Sequence, residues 1–277
     1  MGAVYLPLCP FFAPHKPPLS PVIPHFSSIH FNFFLVSCTC RFLAKLTTVD
    51  AYVTSIAWDG RARAGASSNV FACSCTDGTW RIFNLTGNTA REQKKIQAHS
   101  GAVISLKWSH DGNTIVTAGE DGDLKVWSPS GNLRSTLQSA APVYSFCWGP
   151  DGDTILWCSG KALNLKSLSG SGPRKALSWQ AHEETVLCLD WNRINELIVS
   201  AGEDCVYKVW DAYGRQLYVS PPTAHVITSI SWCPNGECFA VGSFDSLRLC
   251  DRTGWSYSRE QSDSGSFMQL AWTPDGA

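Results

Sequence analysis

Two sets of side chains contain the residue types of a nucleophilic catalytic triad: an imidazole, a hydroxyl and a carboxylate. They are His99, Thr117 and Asp121, and His182, Ser200 and Asp204. In both sets the hydroxyl follows the His by 18 residues and the Asp follows the hydroxyl by 4 residues. A Trp then follows each Asp by 6 residues, at Trp127 and Trp210, although a nucleophile needs no such residue.

The recurrence of the whole set favours a structural tetrad over a catalytic site. The Asp would accept from a backbone N–H or the imidazole, the His would bridge to the hydroxyl, and the indole N–H would donate to that hydroxyl. A buried polar chain ties strands together only if every member is satisfied. Triad chemistry would also need an exposed Ser beside an oxyanion site. With no other cluster of His, Asp and Glu, the sequence predicts no enzyme, cofactor or small-molecule substrate.

The twelve cysteines raise the question of metal binding or disulfides. Disulfide scaffolds belong to short secreted chains, and this chain has 277 residues. Two C-x-C pairs, Cys38 with Cys40 and Cys73 with Cys75, lack the C-x2-C spacing of a zinc site. In a strand such pairs share one face, so a soft-metal site stays open as an alternative. Small buried hydrophobic residues are the interpretation we favour, and no metal is expected.

The elements that position the tetrads repeat along the chain. Six runs with period-two alternation each end in a Trp, at Trp58, Trp108, Trp148, Trp191, Trp232 and Trp272. The gaps between these marker tryptophans are 50, 40, 43, 41 and 40 residues. A period near 40 is typical of repeat architectures in which each unit packs on its neighbours.

Each unit reads as four short strands separated by turn residues. The second unit has "AVISLKW", the turn "HDGN", "TIVTAG", the turn "EDGD", "LKVWS" and "LRSTLQ". Asp-Gly between alternating apolar residues is a strong hairpin signal. The sequence predicts an all-β WD-type β-propeller, as an incomplete ring of about five to six four-stranded blades. An open ring leaves end blades without a neighbour, so we expect this chain alone to be marginally stable or aggregation-prone.

Residues 1–40 differ from the repeats in being dense in proline, which removes ladder donors. We expect a disordered or non-native segment over 1–40 and a partial propeller, truncated at both ends, over 41–277. The formal charge of -1 gives no basic field for nucleic acid. The most apolar stretch, "FNFFLVSC", is far shorter than the ~20 residues of a spanning helix, so no membrane insertion is predicted.

Several units depart from the general WD pattern, and these carry a resemblance. "VYSFCWGPDGDTIL", "SAGEDCVYKVWDAYGRQLY" and "FAVGSFDSLRLCDRTGWSYSRE" are similar to the N-terminal propeller of the eighty-kilodalton intraflagellar transport family. The resemblance covers about residues 43–277. The third unit lacks the Asp and the Trp, while the fifth has His225 and carries Cys250 at the Trp place.

The resemblance implies a non-enzymatic structural subunit of the intraflagellar transport complex B train, needed for ciliary assembly. The implied partners are other complex B subunits. The implied location is the cilium, in the axoneme and basal body region, with a cytoplasmic pool. The alternative is a WD-repeat substrate receptor or another scaffold outside the cilium. Trp179 and Trp255 do not occupy a position that recurs among the units, so they are candidate interface anchors. The alternative we favour is that they fill gaps between blades.

Overall fold

The computed structural model describes residues 3–5, 31–36, 42–59, 69–87, 89–169 and 176–272. All the regular secondary structure in these residues is β-strand. Three strands form an N-terminal sheet in the order β1-β2-β3: Ala3–Tyr5, Phe31–Val36 and Phe42–Val49. Residues 3–5 and 31–36 thus lie in strands of the segment we expected to be disordered. The rest of 1–40 lies outside the described residues, so the predicted domain boundary stays a prediction.

Five blades follow the N-terminal sheet, and each corresponds to one unit of the sequence. Blade 1 contains β4 to β7: Val53–Trp58, Val70–Cys75, Thr79–Thr86 and Thr89–Gln97. Blade 2 contains β8 to β11: Val103–Trp108, Ile115–Gly119, Asp123–Trp127 and Leu133–Gln138. Blade 3 contains β12 to β15: Phe146–Trp148, Thr154–Ser159, Ala162–Ser167 and Leu177–Gln180.

The last two blades continue the antiparallel meander. Blade 4 contains β16 to β19: Val186–Trp191, Ile198–Gly202, Tyr207–Trp210 and Gln216–Val219. Blade 5 contains β20 to β22: Ile227–Trp232, Cys238–Asp251 and Ser256–Ser266. The predicted all-β propeller of four-stranded units is therefore confirmed, and the 40-residue period follows from one meander per blade.

Blade 5 has only three separate strands, because its second and third strands are continuous and together form β21. The backbone N–H of Arg252 donates to the carbonyl of Glu237 at 3.0 Å, so the two ends of β21 lie side by side. The strand folds back at Phe244 and Asp245, and Asp245 has a φ of 49°. Asp tolerates the left-handed region better than most residues, which explains the short turn here.

The core lies between successive blades. One cluster joins Trp80 and Ile82 of blade 1 to Leu106, Trp108 and Trp127 of blade 2. Comparable clusters join blades 2 and 3, blades 3 and 4, and blades 4 and 5. A single meander cannot bury its apolar faces alone, so each blade is stabilised by its neighbours.

Hydrogen bonds between inner strands accompany this packing. Ser145 of blade 3 donates its hydroxyl to Leu189 of blade 4, and Cys188 donates to Ile227 of blade 5. Ser229 then donates to the carbonyl of Phe267 at 2.5 Å. Residues 267–272, the predicted start of a sixth unit, therefore lie against β20.

At each of two interfaces between adjacent blades, which we call seams, a large side chain of one blade packs against a smaller side chain of the other. The Trp place of blade 5 holds Cys250, and Tyr207 of blade 4 fills the space beside it. The Cys250 thiol donates to the Tyr207 hydroxyl at 3.3 Å, and that hydroxyl donates to the Gly254 carbonyl at 2.8 Å. At the preceding seam the same two places hold Leu163 and Trp210 in one cluster.

This seam predicts a coupled pair of substitutions. Tyr207→Leu should lower the free energy of unfolding by about 2–4 kcal/mol through the cavity it leaves. Cys250→Trp should lower it by about 1–3 kcal/mol through overpacking. The double variant rebuilds the Leu–Trp pairing, so urea unfolding should show a loss at least about 1 kcal/mol smaller than the sum. Additive losses would show that the two side chains do not share one space.

Candidate functional site

The first tetrad lies at the start of blade 2 and joins its three inner strands. His99 precedes β8, Thr117 lies in β9, Asp121 lies in the following turn and Trp127 ends β10. His99 Nδ1 lies 2.8 Å from Asp121 Oδ1, and His99 Nε2 lies 2.8 Å from Thr117 Oγ1. The Trp127 indole N–H donates to Thr117 Oγ1 at 2.9 Å. The four side chains form one continuous hydrogen-bonded chain.

The second tetrad repeats this geometry in blade 4. His182 Nδ1 lies 2.8 Å from Asp204 Oδ2, and His182 Nε2 lies 2.8 Å from Ser200 Oγ. The Trp210 indole N–H donates to Ser200 Oγ at 2.9 Å. His182 and Ser200 are fully buried, so the hydroxyl that a triad would use as nucleophile has no open approach.

One proton arrangement satisfies every member of each chain. The hydroxyl accepts from the indole, so its own proton is donated to Nε2 of the imidazole. The imidazole is then neutral and donates through Nδ1 to the Asp carboxylate. A second imidazole proton at Nε2 would face the hydroxyl proton, so this geometry opposes protonation.

The electrostatics agree with neutral imidazoles. Burial lowers the pKa of His99 and of His182 below the ordinary 6.5, even though the neighbouring carboxylates act to raise it. Partial burial works to raise the pKa of Asp121, but hydrogen bonds from His99 and from backbone N–H groups outweigh it and lower that pKa. Each imidazole thus acts as a hydrogen-bonding link with its proton fixed on Nδ1.

Two further residues of the repeat complete the arrangement. Lys125 donates to the Ala98 carbonyl at 2.6 Å, and Lys208 donates to the Ala181 carbonyl at 2.7 Å. Both carbonyls belong to the residue before the tetrad His. The recurring Lys-Val-Trp triplet carried this signal, but its sequence gives no indication of which carbonyl the Lys reaches. Gly119 is also needed, because a Cβ there would lie 2.4 Å from His99 Nδ1.

Blade 1 replaces the polar members with apolar ones. Register places Cys73 where blade 2 has Thr117, and Phe83 where it has Trp127. Val49 lies four residues before β4, as His99 lies four residues before β8. Val49, Cys73 and Phe83 are buried in one cluster. Blade 1 therefore keeps neither the imidazole nor the hydroxyl of the tetrad. Burying one of them without its partners would cost free energy.

Asp77, the carboxylate that remains in blade 1, has other partners. It lies 3.2 Å from the buried Arg81 and 3.4 Å from Lys95, and it accepts from the Thr79 backbone. Arg81 also pairs with Asp50 and, at 3.3 Å, with Glu92. The hydrogen bond from Arg81 lowers the pKa of Asp50, so the guanidinium stabilises the ionised carboxylate.

Blades 3 and 5 also lack the tetrad. In blade 3 Trp157 occupies the hydroxyl place and Lys166 the Trp place, and a cleft of about 270 Å³ opens between them and β11. In blade 5 the nearest imidazole, His225, is exposed and packs edge-on against Phe244 at 5.2 Å. His225 lies two residues before β20, whereas His99 and His182 lie four residues before their strands, so it falls outside the tetrad place.

The two candidate interface tryptophans lie in different environments. Trp179 in β15 is half-buried against Trp210 of blade 4, with ring centroids 6.0 Å apart. Trp255 has 68% of its surface exposed and contacts Tyr218 at 6.1 Å. Trp179 therefore lies in the seam between blades 3 and 4, while Trp255 is available at the surface.

The described residues show no group of three or more His, Cys, Asp or Glu side chains able to hold a metal ion. Cys73 and Cys75 lie in β5 and are buried in the blade 1 cluster. Cys38 and Cys40 lie outside the part of the chain that the structure describes. The described residues also contain no helix long and apolar enough to cross a membrane.

Comparisons with known proteins agree with this geometry. The family described as "WD domain, G-beta repeat" matches residues 90–128, 174–211 and 215–247. The proteins named Intraflagellar transport protein 80 homolog from Mus musculus and Rattus norvegicus are each 51% identical over 207 residues, 74% of this chain. The SIR4-interacting protein SIF2 of Saccharomyces cerevisiae is 26% identical over 204 residues, 53% of this chain and 38% of its own length.

The chain is therefore a WD-repeat β-propeller protein, built from blades that carry or replace a buried tetrad. Within that family its propeller is of the intraflagellar transport protein 80 type, as the sequence resemblance predicted. The chain spans 26% of the length of these mouse and rat relatives.

The tetrad geometry predicts a large effect for one buried hydroxyl. Thr117→Val leaves the Trp127 N–H without an acceptor and His99 Nε2 without a donor. Each buried unsatisfied group costs about 1–3 kcal/mol, so urea unfolding should show a loss of about 2–4 kcal/mol. The matched control is Thr136→Val in the exposed strand β11, which should change stability by less than about 0.5 kcal/mol. Equal effects would mean that the tetrad adds no stability.

The lowered imidazole pKa values predict an acid-sensitive fold. Near pH 6.5 the unfolded chain binds protons at these imidazoles that the folded chain does not. The contribution of the neutral imidazoles to the free energy of unfolding is therefore full above that pH and is lost as the pH falls below it. The slope is at most about 1.4 kcal/mol per pH unit for each imidazole.

Denaturant unfolding between pH 7.5 and 5 should show this fall. His99→Gln and His182→Gln cannot titrate, so each should remove its share of the slope. A flat profile for the parent chain would contradict buried neutral imidazoles.

Proposed function

We propose that this propeller is a non-enzymatic, structural part of an intraflagellar transport complex B subunit. It acts as a scaffold for protein–protein contacts in the trains that build cilia. Its partners are other complex B subunits, and its location is the cilium, in the axoneme and basal body region, with a cytoplasmic pool. The observation that carries the proposal is the 51% identity to the mouse and rat relatives.

The geometry supports the non-enzymatic part of the proposal. His182, Ser200 and His99 are buried, and their hydrogen-bonding capacity is used within the blades. A nucleophile must reach a substrate carbonyl beside an oxyanion site, and these hydroxyls accept from an indole inside the core instead. The same four residue types recur in two blades, which suits a repeated structural link better than one reaction centre.

The surface supports the scaffold part. Trp255 and Tyr257 on blade 5 are 68% and 61% exposed, and Trp255 lies beside the ring of Tyr218 on blade 4. Large aromatic side chains supply much of the binding energy at protein interfaces. These residues cross the seam between two blades, where loops of neighbouring units meet.

A propeller exchange tests the proposal. The matched region of the mouse relative is replaced by that of this chain, and the chimera is expressed in mouse cells depleted of the relative. We expect restored cilia, a tagged chimera within them, and co-purification of other complex B subunits. The control graft is the matched region of SIF2, which is 26% identical to this chain and should give none of these three results.

Two results would contradict the proposal. A chimera expressed at the normal level that joins no complex B subunit would remove the transport assignment. Equal rescue by the SIF2 graft would show that a region only 26% identical suffices, so the 51% identity to the mouse and rat relatives would carry no specific function. That second result would favour the alternative of a scaffold or substrate receptor outside the cilium.

A further inference from the structure

One hairpin of blade 5 brings two cysteines opposite each other. The backbone N–H of Cys233 donates to the carbonyl of Cys238 at 2.9 Å, next to the ladder pair Trp232 and Phe239. Directly opposite residues of an antiparallel pair point to the same face, with Cα atoms about 5.5 Å apart in a hydrogen-bonded pair. Disulfides form across Cα separations of about 4.4–6.8 Å, so this pair meets the distance requirement.

The same closing hydrogen bond occurs in the other blades with different side chains. It joins Asp59 to Val70, Ser109 to Thr114, Gly149 to Thr154 and Asn192 to Leu197. None of these four pairs contains a thiol. The fold therefore needs no cysteine at this place, and the two thiols of blade 5 are a local feature of its sequence, "CPNGEC".

Blade 4 holds this hairpin in position. The Asn192 side-chain amide donates to the Cys233 carbonyl at 3.0 Å, and the Asn195 amide donates to the Gly236 carbonyl at 2.6 Å. The Gly236 N–H also donates back to the Cys233 carbonyl at 2.9 Å. Three hydrogen bonds thus fix the turn that separates the two sulfurs, so little chain entropy is left to lose when they join.

The two thiols differ in access. Cys233 is buried, with 1% of its surface exposed, while Cys238 is half-buried. The Cys238 thiol is within hydrogen-bonding reach of the Cys233 thiol and the Tyr257 hydroxyl. A small disulfide can therefore reach Cys238 first, with Cys233 next to it as the resolving thiol. Burial raises the pKa of Cys238, so exchange at neutral pH should be slow.

We propose that Cys233 and Cys238 form a reversible, redox-sensitive disulfide that locks the β20–β21 hairpin of blade 5. The oxidant is a low-molecular-weight disulfide of the glutathione class. The Cys238 thiolate attacks one sulfur of the oxidant, forms a mixed disulfide and releases the first thiol. The Cys233 thiolate then attacks the Cys238 sulfur and releases the second thiol. Two cysteine thiols and one small disulfide become one protein disulfide and two small thiols, so atoms and electrons balance.

Tryptic mapping of the full chain tests the proposal directly. The chain is equilibrated in glutathione buffers of stepped potential, quenched with acid, alkylated with N-ethylmaleimide in neutral denaturant and digested. Residues 216–248 form one tryptic peptide, and its only cysteines are Cys233 and Cys238. We expect this peptide to lose about 2 Da and to carry no maleimide under oxidising poise. The dithiol-to-disulfide equilibrium constant should be at least tenfold larger in the folded chain than in urea.

Variants separate this pair from general thiol oxidation. Cys205→Ser alters a half-buried cysteine of blade 4 and should leave the result unchanged. Cys233→Ser should stop the reaction at the mixed disulfide, with glutathione retained on Cys238. Three results would overturn the proposal: two maleimides on the parent peptide at every poise, glutathione on the parent Cys238 without ring closure, or equal equilibrium constants in folded and urea-unfolded chains.

Discussion

A blade of this chain has two apolar faces and can bury them only against the blades before and after it. Four of the five core clusters in the described residues accordingly draw their members from two successive blades, and the fifth joins blade 1 to Val49 and Ala51 before it. This constraint makes a substitution in one blade a change in the next. The ring centroids of Trp80 and Trp127 lie 5.9 Å apart between blades 1 and 2. Between blades 4 and 5, the Cys250 thiol donates to the Tyr207 hydroxyl. The unit of packing is the seam, and residue volumes are matched across it.

Polar groups inside the blades obey a second constraint, because a buried imidazole is tolerated only when both nitrogens have partners. Blades 2 and 4 meet it with the complete chain from indole to carboxylate. Blade 1 has no buried imidazole at this place, because Val49, Cys73 and Phe83 replace the His, the hydroxyl and the Trp. Its remaining tetrad carboxylate, Asp77, pairs with Arg81. The degenerate repeats are thus alternative solutions to one problem. In the described residues of blades 1, 3 and 5, the place of the tetrad His holds no imidazole.

The fold could be predicted because its period, alternation and turn residues are local features of the chain. The marker tryptophans and Asp-Gly turns suffice to place the strands of blade 2. Other features depend on which backbone group lies nearby once blades are formed, as with Lys125 and the Ala98 carbonyl. The Arg81–Asp50 ion pair likewise joins residues 31 positions apart. His225 shows the limit of residue type alone, because its exposure and its distance from β20 exclude it from a tetrad.

The central claim is that each tetrad holds a neutral imidazole with its proton on Nδ1. The most direct test is nitrogen NMR of the His99 and His182 side chains across a pH titration. The account predicts the Nδ1–H tautomer at pH 7, slow exchange of that proton, and a pKa for each imidazole below the ordinary 6.5. An Nε2–H tautomer, or titration of either imidazole at 6.5 or above, would contradict it.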